Sequence, residues 1–301
     1  MLVTAAALLR LSLTRPRALA FAPALILAEL WLGNGNQLPL VPRILLEEPS
    51  GFAAAVRGPA RGAEPPDRVL PRGQPMASST VTLGDGPRWV ASTRLLLRPD
   101  VAALEGLSAF GSTLPGLSLR AAQTLGVASP DAAWAAPLFN GCFRVDDAAA
   151  APGVGDIFIT KAGDPPQALY RQPCLPRARL SGMRQARSPD EALVQLKRGL
   201  PAGVEVWEGG PALPPADGGS VRWLANDPEL LRLEVDTKAR AALVIADELQ
   251  PGWTATIDGA AAALHPADVV ARGLLVEPGR HQVELRYRTP GLAAGLSLSA
   301  K

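Results

Sequence analysis

Trp253 and Asp258 are the residues of this sequence whose types and spacing best suit ligand binding. They lie in residues 251–259, PGWTATIDG. A tryptophan face can stack on a sugar ring and a carboxylate can accept hydrogen bonds from hydroxyl groups, so both are candidate glycan contacts. However, Trp253 alternates with Ala255 and Ile257 as the core residues of a strand do, and the Asp-Gly dipeptide favours a tight hairpin. The sequence therefore favours a structural role for this motif over glycan binding.

The adjacent carboxylates Glu47-Glu48, Asp146-Asp147 and Asp247-Glu248 are candidates for acid/base pairs. Because neighbouring residues of a strand point to opposite faces, we interpret these pairs as solvated loop charge and not as acid/base pairs. The sequence also contains no Gly-x-Ser-x-Gly nucleophile motif and no complete dinucleotide-binding fingerprint. We therefore predict no catalytic residue and no cofactor in this chain.

The histidines and cysteines do not form a recognisable metal site. His265 and His281 lie in separate predicted strands, and no cysteine or carboxylate stands at ligand spacing from them, so no metal ligand is predicted. Cys142 and Cys174 could pair outside the cytoplasm. Their spacing matches no metal or redox motif, and two unrelated thiols are the commoner arrangement. Pairing therefore stays open from the sequence.

The overall charge excludes one class of partner. The net charge is +2, and the 30 basic residues are spread along the whole chain. Proteins that bind nucleic acid concentrate positive charge on one face, so no nucleic-acid partner is predicted. The 29 glycines and 30 prolines predict short helices and many turns.

The N-terminal 33 residues predict one or more transmembrane segments. An apolar run at 18–32 follows Arg15 and Arg17, which places the start of the chain in the cytoplasm and residues after about 33 outside. At 15 residues, with Pro23 and Glu29 inside it, this run is a marginal anchor by itself. A signal peptide is a second interpretation. We favour a third, in which the run is one helix of a membrane bundle whose neighbours accommodate the proline and the acid.

The rest of the chain predicts an α+β protein with a sheet-rich end. Residues 34–90 are interpreted as a Pro/Gly-rich linker containing a short strand at 68–70. Residues 91–200 are predicted to form a mixed α+β extracytoplasmic domain with strands near 143–145, 156–160 and 168–171. Its clearest helix starts at Ser188, where Glu191 completes a capping box, and stops at Gly199.

The C-terminal pattern is alternating and not helical. Leu231, Leu233 and Val235 share one face of a predicted strand, whereas residues 241–246 are apolar on both faces, as in a central strand. Short strands at regular spacing predict an antiparallel β-sandwich over 201–290. Residues 291–301 are interpreted as the start of a further membrane helix.

The C-terminal stretch resembles the closing domain of the YfhO-type bacterial membrane protein family. Residues 175–178, the capped helix at Ser188 and the apolar segment carrying Glu29 are also similar to that family, and the resemblance covers most of residues 18–298. It is carried chiefly by His281, Val283 and a set of family-like structural residues: Pro251, Gly252, Trp253, Asp258, Gly259 and Tyr287.

The resemblance implies a function in the cell envelope. Members of the family are polytopic and resemble glycosyltransferases that use a polyprenyl-phosphate-linked sugar to decorate cell-surface polymers. Their candidate catalytic acid lies in an outer loop near the start of the membrane region, which this chain is not expected to include. We therefore expect a noncatalytic extracytoplasmic C-terminal portion of such a protein in the bacterial cell membrane. Its expected partners are the membrane, the membrane-embedded part of the same protein or cell-envelope glycan.

A second hypothesis comes from a different class of protein. The chain could be a membrane-tethered exported module that uses its β-sandwich to bind carbohydrate or a protein partner. Trp253 would then be the main contact, because its indole face suits a sugar ring.

Overall fold

A computed structural model of the protein describes residues 51–58, 62–70, 102, 106–108, 120, 134–147, 157–160 and 167–291. All of them belong to one compact unit of the chain, formed by residues 49–77 and 93–301. No helix in these ranges is long and apolar enough to span a bilayer. Several predicted features lie outside the described residues: the segments at 1–33, the Glu47-Glu48 pair and residues 292–301.

The described part of the chain is rich in strands and has few helices, which confirms a sheet-rich α+β class. The elements of its first half are α1 Gly51–Arg57, β1 Arg68–Leu70, β2 Gly141–Asp147, β3 Ile157–Thr160 and β4 Gln167–Arg171. Those of its second half are β5 Ala178–Ala186, α2 Pro189–Arg198, β6 Val204–Glu208, β7 Ser220–Asp227, β8 Leu230–Thr237, β9 Ala241–Ile245, β10 Trp253–Ile257, β11 Ala260–Ala262, β12 His265–Ala267, β13 Ala271–Val276 and β14 Gly279–Tyr287.

The first sheet has four strands in the order β1-β2-β4-β3. β1 runs parallel to β2, and the other neighbouring strands are antiparallel. Val145 and Leu169 are buried, and α1 packs Phe52 and Val56 into the same core. The strands expected in this part of the chain are confirmed. Helix α1 and Val69 lie within the segment interpreted as a linker, and both contribute buried residues to this core.

A short 3-10 helix, Ala136–Phe139, leads into β2. Pro137 lies in the first turn of this 3-10 helix. A proline is tolerated there because the first backbone N–H groups of a helix have no acceptor within it.

Cys142 and Cys174 form a disulfide, with their Cα atoms 5.0 Å apart. The expectation that two unrelated thiols are the commoner arrangement was therefore wrong here. The reason is the pairing of β2 with β4, which brings the chain after β4 back beside Cys142, where the Gln172 N–H donates to the Cys142 carbonyl at 2.8 Å. The spacing of the two cysteines in the sequence does not indicate this contact.

Removing the disulfide is expected to lower the free energy of unfolding by about 2–4 kcal/mol, because the bond closes a loop of 32 residues in the unfolded chain. The test is chemical denaturation of the double variant Cys142→Ser with Cys174→Ser under non-reducing conditions. Wild-type protein treated with a reductant serves as the control and should match the variant. An unchanged denaturation midpoint would contradict the prediction.

Helix α2 has the predicted caps. The Ser188 hydroxyl accepts the backbone N–H of Glu191 at 3.2 Å, and the Glu191 carboxylate accepts the N–H of Arg187 at 2.9 Å. The helix ends at Gly199, whose φ of 85° suits glycine. Ala192 and Leu196 face the core. The helix connects β5 to β6, which run parallel, and parallel neighbours need such a crossover.

The C-terminal strands form a barrel and a sheet. β12, β13, β9, β5 and β6 make a closed barrel, and β11, β10, β14, β8 and β7 make a five-stranded antiparallel sheet in that order. The sheet packs against the barrel through side chains such as Leu233 and Val283 on one side and Leu243 and Leu274 on the other. The predicted arrangement over 201–290 was purely antiparallel. It differs from the structure because β5 joins the barrel from before residue 201 and pairs with β6 in parallel.

Individual strands follow their sequence patterns closely. Leu231, Leu233 and Val235 are buried on one face of β8, and every residue of β9 is buried, as expected of a central strand. The hairpin between β10 and β11 turns at Asp258 and Gly259, whose φ angles of 51° and 83° fit a type I′ turn.

Candidate functional site

The two candidate glycan contacts lie at opposite ends of β10. Trp253 begins the strand, is half-buried, and lines a cavity of about 500 Å³. Asp258 follows the strand in the hairpin turn, where its carboxylate binds His281 Nδ1 at 2.7 Å and the Gln282 N–H at 2.8 Å. Because Asp258 is held by these groups and does not line the cavity with Trp253, the structure does not bring the two residues together.

The hydrogen bonds of Asp258 shift the pKa values of both Asp258 and His281. The N–H of Gln282 and then the imidazole of His281 lower the pKa of the Asp258 carboxyl. In turn, the hydrogen bond to Asp258 raises the pKa of His281. This pair stabilises the hairpin against β14, which supports a structural role for the turn.

Several family-like residues have backbone or packing reasons for their identity. Gly252 has a φ of 107°, and a Cβ atom there would lie 2.4 Å from the Arg288 carbonyl oxygen. The Tyr287 ring lies 5.3 Å from the Trp253 ring, and both aromatic side chains line the cavity. A side chain at residue 252 would therefore clash with the backbone of Arg288.

Asp247 is the buried carboxylate of this cavity. It is 8% exposed, accepts from Arg177 Nε at 3.0 Å, and also binds the guanidinium of Arg68. The interpretation of Asp247-Glu248 as solvated loop charge was therefore wrong for Asp247. The cause is Arg68 on β1, which lies 179 residues earlier in the chain and also donates to the carbonyls of Phe139 and Ala246. No local sequence pattern could reveal this pairing.

Charge pairing dominates the ionisation of Asp247. Burial by itself would raise the pKa of this carboxyl, but the nearby guanidiniums of Arg68, Arg177 and Arg272 lower it to about 2. Burial lowers the pKa of Arg272 to about 10, against the opposing attraction of Asp247. Asp247 and Arg272 are therefore both charged near neutral pH. We call the five residues Arg68, Arg177, Asp247, Glu248 and Arg272 the arginine cluster.

Arg272 has the least complete set of partners in the arginine cluster. It lies on β13, is 6% exposed, and stacks its guanidinium 3.8 Å from the centre of the Trp253 ring. Its Nε donates to the Glu248 carbonyl at 3.0 Å, whereas its buried Nη1 has no hydrogen-bond partner. In the Glu248 side chain, Oε2 accepts from Gln250 at 2.9 Å and the buried Oε1 has no partner. Among the described residues, the arginine cluster thus contains one buried donor and one buried acceptor without a partner.

A second set of buried charges lies in the barrel, which we call the Asp268 cluster: Arg179, Ser181, Glu205 and Asp268. Arg179 binds Glu205 through Nε and Asp268 through Nη2, the latter at 3.3 Å. Asp268 also accepts the Val206 N–H at 3.2 Å. Burial and then the negative charge of Glu205 raise the pKa of Asp268 well above its usual range. Asp268 and Glu205 therefore compete for a single cation.

Replacing Asp268 with asparagine is expected to flatten the pH dependence of stability. Because the folded-state pKa of Asp268 is raised, its contribution is full below the unfolded pKa of 3.8 and is lost as pH rises through the folded value. As pH rises above about 4, wild-type stability should therefore fall more steeply than that of Asp268→Asn. Urea unfolding at several pH values measures this. The control is Asp217→Asn at an exposed loop position, which should keep the wild-type slope.

The histidines contact other groups in the structure. The His265 ring packs 5.2 Å from the ring of Trp207, and His281 binds Asp258. Among the described residues, no group of three or more His, Cys, Asp or Glu side chains is arranged to hold a metal ion.

Fold and site together define a sheet-rich α+β protein with an arginine-lined, partly aromatic cavity. No family model, curated protein or solved structure matches this chain. The likeness to the YfhO-type family therefore rests on the sequence residues given above.

Proposed function

We propose that the chain is a noncatalytic extracytoplasmic C-terminal portion of a polytopic bacterial membrane protein. The whole protein would resemble lipid-linked-sugar-dependent glycosyltransferases of cell-surface polymers, with transmembrane segments before about residue 33. The disulfide between Cys142 and Cys174 carries this proposal, because disulfides persist in oxidising compartments outside the cytoplasm. The family-like residues in and after β10 support it from the sequence side.

The location is tested by fusing alkaline phosphatase or green fluorescent protein after Lys301 of the full chain in a bacterium. Alkaline phosphatase is active only outside the cytoplasm, so we expect an active enzyme and a dark fluorescent fusion. Thiol labelling of the same cells should modify the two cysteines only after reduction, with the double serine variant as the unlabelled control. A fluorescent fusion with freely reactive cysteines would refute the proposal.

A second candidate function is a membrane-tethered exported module that binds carbohydrate or a protein partner. The cavity beside Trp253 favours carbohydrate, because aromatic walls with a few polar side chains are typical of small-ligand sites. Its volume of about 500 Å³ falls within the usual range for small-ligand pockets, roughly 300–1,000 Å³.

Glycan binding is tested by probing a glycan array with the full chain and two variants. Trp253→Ala should reduce binding at least tenfold, because Trp253 forms a wall of the cavity. Asp258→Asn should leave binding unchanged, because Asp258 is held in the hairpin by His281 and Gln282. The second candidate fails if the array shows no ligand.

A further inference from the structure

One end of the five-stranded sheet bounds the cavity beside Trp253. Antiparallel register pairs Trp253 with Tyr287 and Asn226 with Leu231. Residues paired in this way point to the same face of a sheet, so Asn226 shares the inner face of the buried Leu231. Tyr287 lies two positions after the buried Leu285, which places Tyr287 and Trp253 on the inner face as well. The sheet therefore directs an amide and two aromatic rings toward the cavity that all three residues line.

These three side chains are spread across the sheet. The strands run in the order β10, β14, β8 and β7, so Trp253 lies three strands away from Asn226. Neighbouring strands are about 4.8 Å apart, which separates the two backbones by about 14 Å. Side chains stand roughly perpendicular to a sheet, so much of this distance remains between the two side chains. The span therefore suits two linked sugar rings better than one.

The Asn226 amide is not used by the fold in the part of the chain that the structure describes. Its side chain is exposed, lines the cavity and makes no hydrogen bond to any described residue. An amide both donates and accepts hydrogen bonds, as a sugar hydroxyl does. Asn226 can therefore bind neighbouring hydroxyl groups of a sugar.

The formal charges around the cavity balance one another. Three guanidiniums and three carboxylates line it or pair with its lining residues: Arg68, Arg177, Arg272, Asp227, Asp247 and Glu248. Arg68 and Arg177 both bind Asp247. A charged ligand would bring an uncompensated charge into the cavity, which costs free energy. The cavity therefore suits an uncharged ligand.

We propose that this cavity binds two adjacent rings of an uncharged glycan. One ring packs against the accessible part of Trp253, beside Tyr287, because an aromatic side chain offers the apolar surface that a sugar ring face requires. Hydroxyl groups of the next ring exchange hydrogen bonds with the Asn226 amide. The inference rests on the carbohydrate-binding candidate and deepens it by naming the length and charge of the ligand.

The test is isothermal titration calorimetry of the full chain at neutral pH with a panel of sugars. The uncharged disaccharides are cellobiose, maltose, lactose and N,N′-diacetylchitobiose, each compared with its monosaccharides. The charged ones are the cationic chitosan disaccharide and the anionic hyaluronan disaccharide. The tightest ligand is expected to be an uncharged disaccharide, which binds at least tenfold more tightly than its own monosaccharides and than either charged disaccharide.

Replacing Asn226 tests the contact with the second ring. Asn226→Ala should lower the affinity for the best disaccharide to that for its monosaccharide and leave monosaccharide binding unchanged, whereas Trp253→Ala should weaken both. The matched control is Gln282→Ala, which removes an exposed amide from the outer face of the same sheet and should bind as the wild type does. The thermal unfolding midpoint of Asn226→Ala should equal that of the wild type, because the amide has no described partner.

The outcomes separate this inference from the candidate function on which it rests. If a monosaccharide or a charged disaccharide binds as tightly as the best uncharged disaccharide, the inference is wrong while the carbohydrate-binding candidate stands. The same holds if Asn226→Ala binds that disaccharide as the wild type does, or if no sugar of the panel binds. The absence of any ligand on the glycan array would overturn both.

Discussion

Replacing Asp247 with alanine is expected to lower the free energy of unfolding by about 3–5 kcal/mol, because it leaves the buried guanidiniums without their shared carboxylate. Arg68 would lose its ion pair, and Arg177 would lose both of its contacts to Asp247. Chemical denaturation at neutral pH measures the loss. Asp217→Asn, at an exposed loop position, should change the stability by less than about 0.5 kcal/mol.

The charge of Asp247 can be separated from its shape by titration with acid. Since the pKa of Asp247 is lowered from 3.8 to about 2, the charged carboxylate contributes stability above pH 4 that is lost as pH falls toward 2. The shift corresponds to about 2 kcal/mol. Asp247→Asn keeps the side-chain shape and should lack this acid-induced loss. If the wild type and the asparagine variant lose stability in parallel between pH 4 and pH 2, the paired-carboxylate account is wrong.

The second large effect is expected in the barrel, where Arg179→Met should also cost about 3–5 kcal/mol. Arg179 is 7% exposed and is the cation that Glu205 and Asp268 share. Its loss leaves the buried Glu205 carboxylate without its counterion, and Oε2 of Glu205 already lacks a partner among the described residues. Thermal or urea unfolding measures the change.

The matched control for this variant lies on the same strand. Arg184→Met changes the same residue type at an exposed position of β5 and should be nearly neutral. Adding Glu205→Gln to Arg179→Met should restore part of the stability, because it removes the unpaired charge. If Arg179→Met is as stable as Arg184→Met, Arg179 is not the shared counterion. The same conclusion follows if adding Glu205→Gln to Arg179→Met restores no stability.

The elements with a local cause could be predicted from the sequence. The capping box of Ser188 and Glu191 fixes the start of α2, and the alternation through Leu231 and Leu233 fixes the buried face of β8. The Asp258-Gly259 turn fixes a hairpin because both residues adopt a positive φ. Each of these patterns involves only a few neighbouring residues, so it can be interpreted from the sequence without knowledge of the fold.

The candidate site could be predicted only in part. Trp253 was identified from the sequence as a candidate contact. The contributions of Arg272 and Asp247 to the site were not, because they depend on contacts with residues far away in the chain. Arg68 reaches Asp247 across 179 residues. Similarly, Asp268 and Val269 take φ angles of 45° and 70°, which a β-branched residue such as valine rarely adopts. Long-range pairing holds this turn in place through the hydrogen bond from the Asp268 N–H to the Val206 carbonyl.

The place of β5 in the barrel has a practical consequence for dissecting the protein. β5 lies between β9 and β6, so a recombinant fragment that starts at residue 201 would expose one edge of each of those strands. Unpaired edges promote aggregation, and such a fragment would also lack Arg177 and Arg179. A truncated protein meant to retain the cavity beside Trp253 should therefore begin upstream of Arg68, so that the first sheet, β5 and the arginine cluster are expressed together.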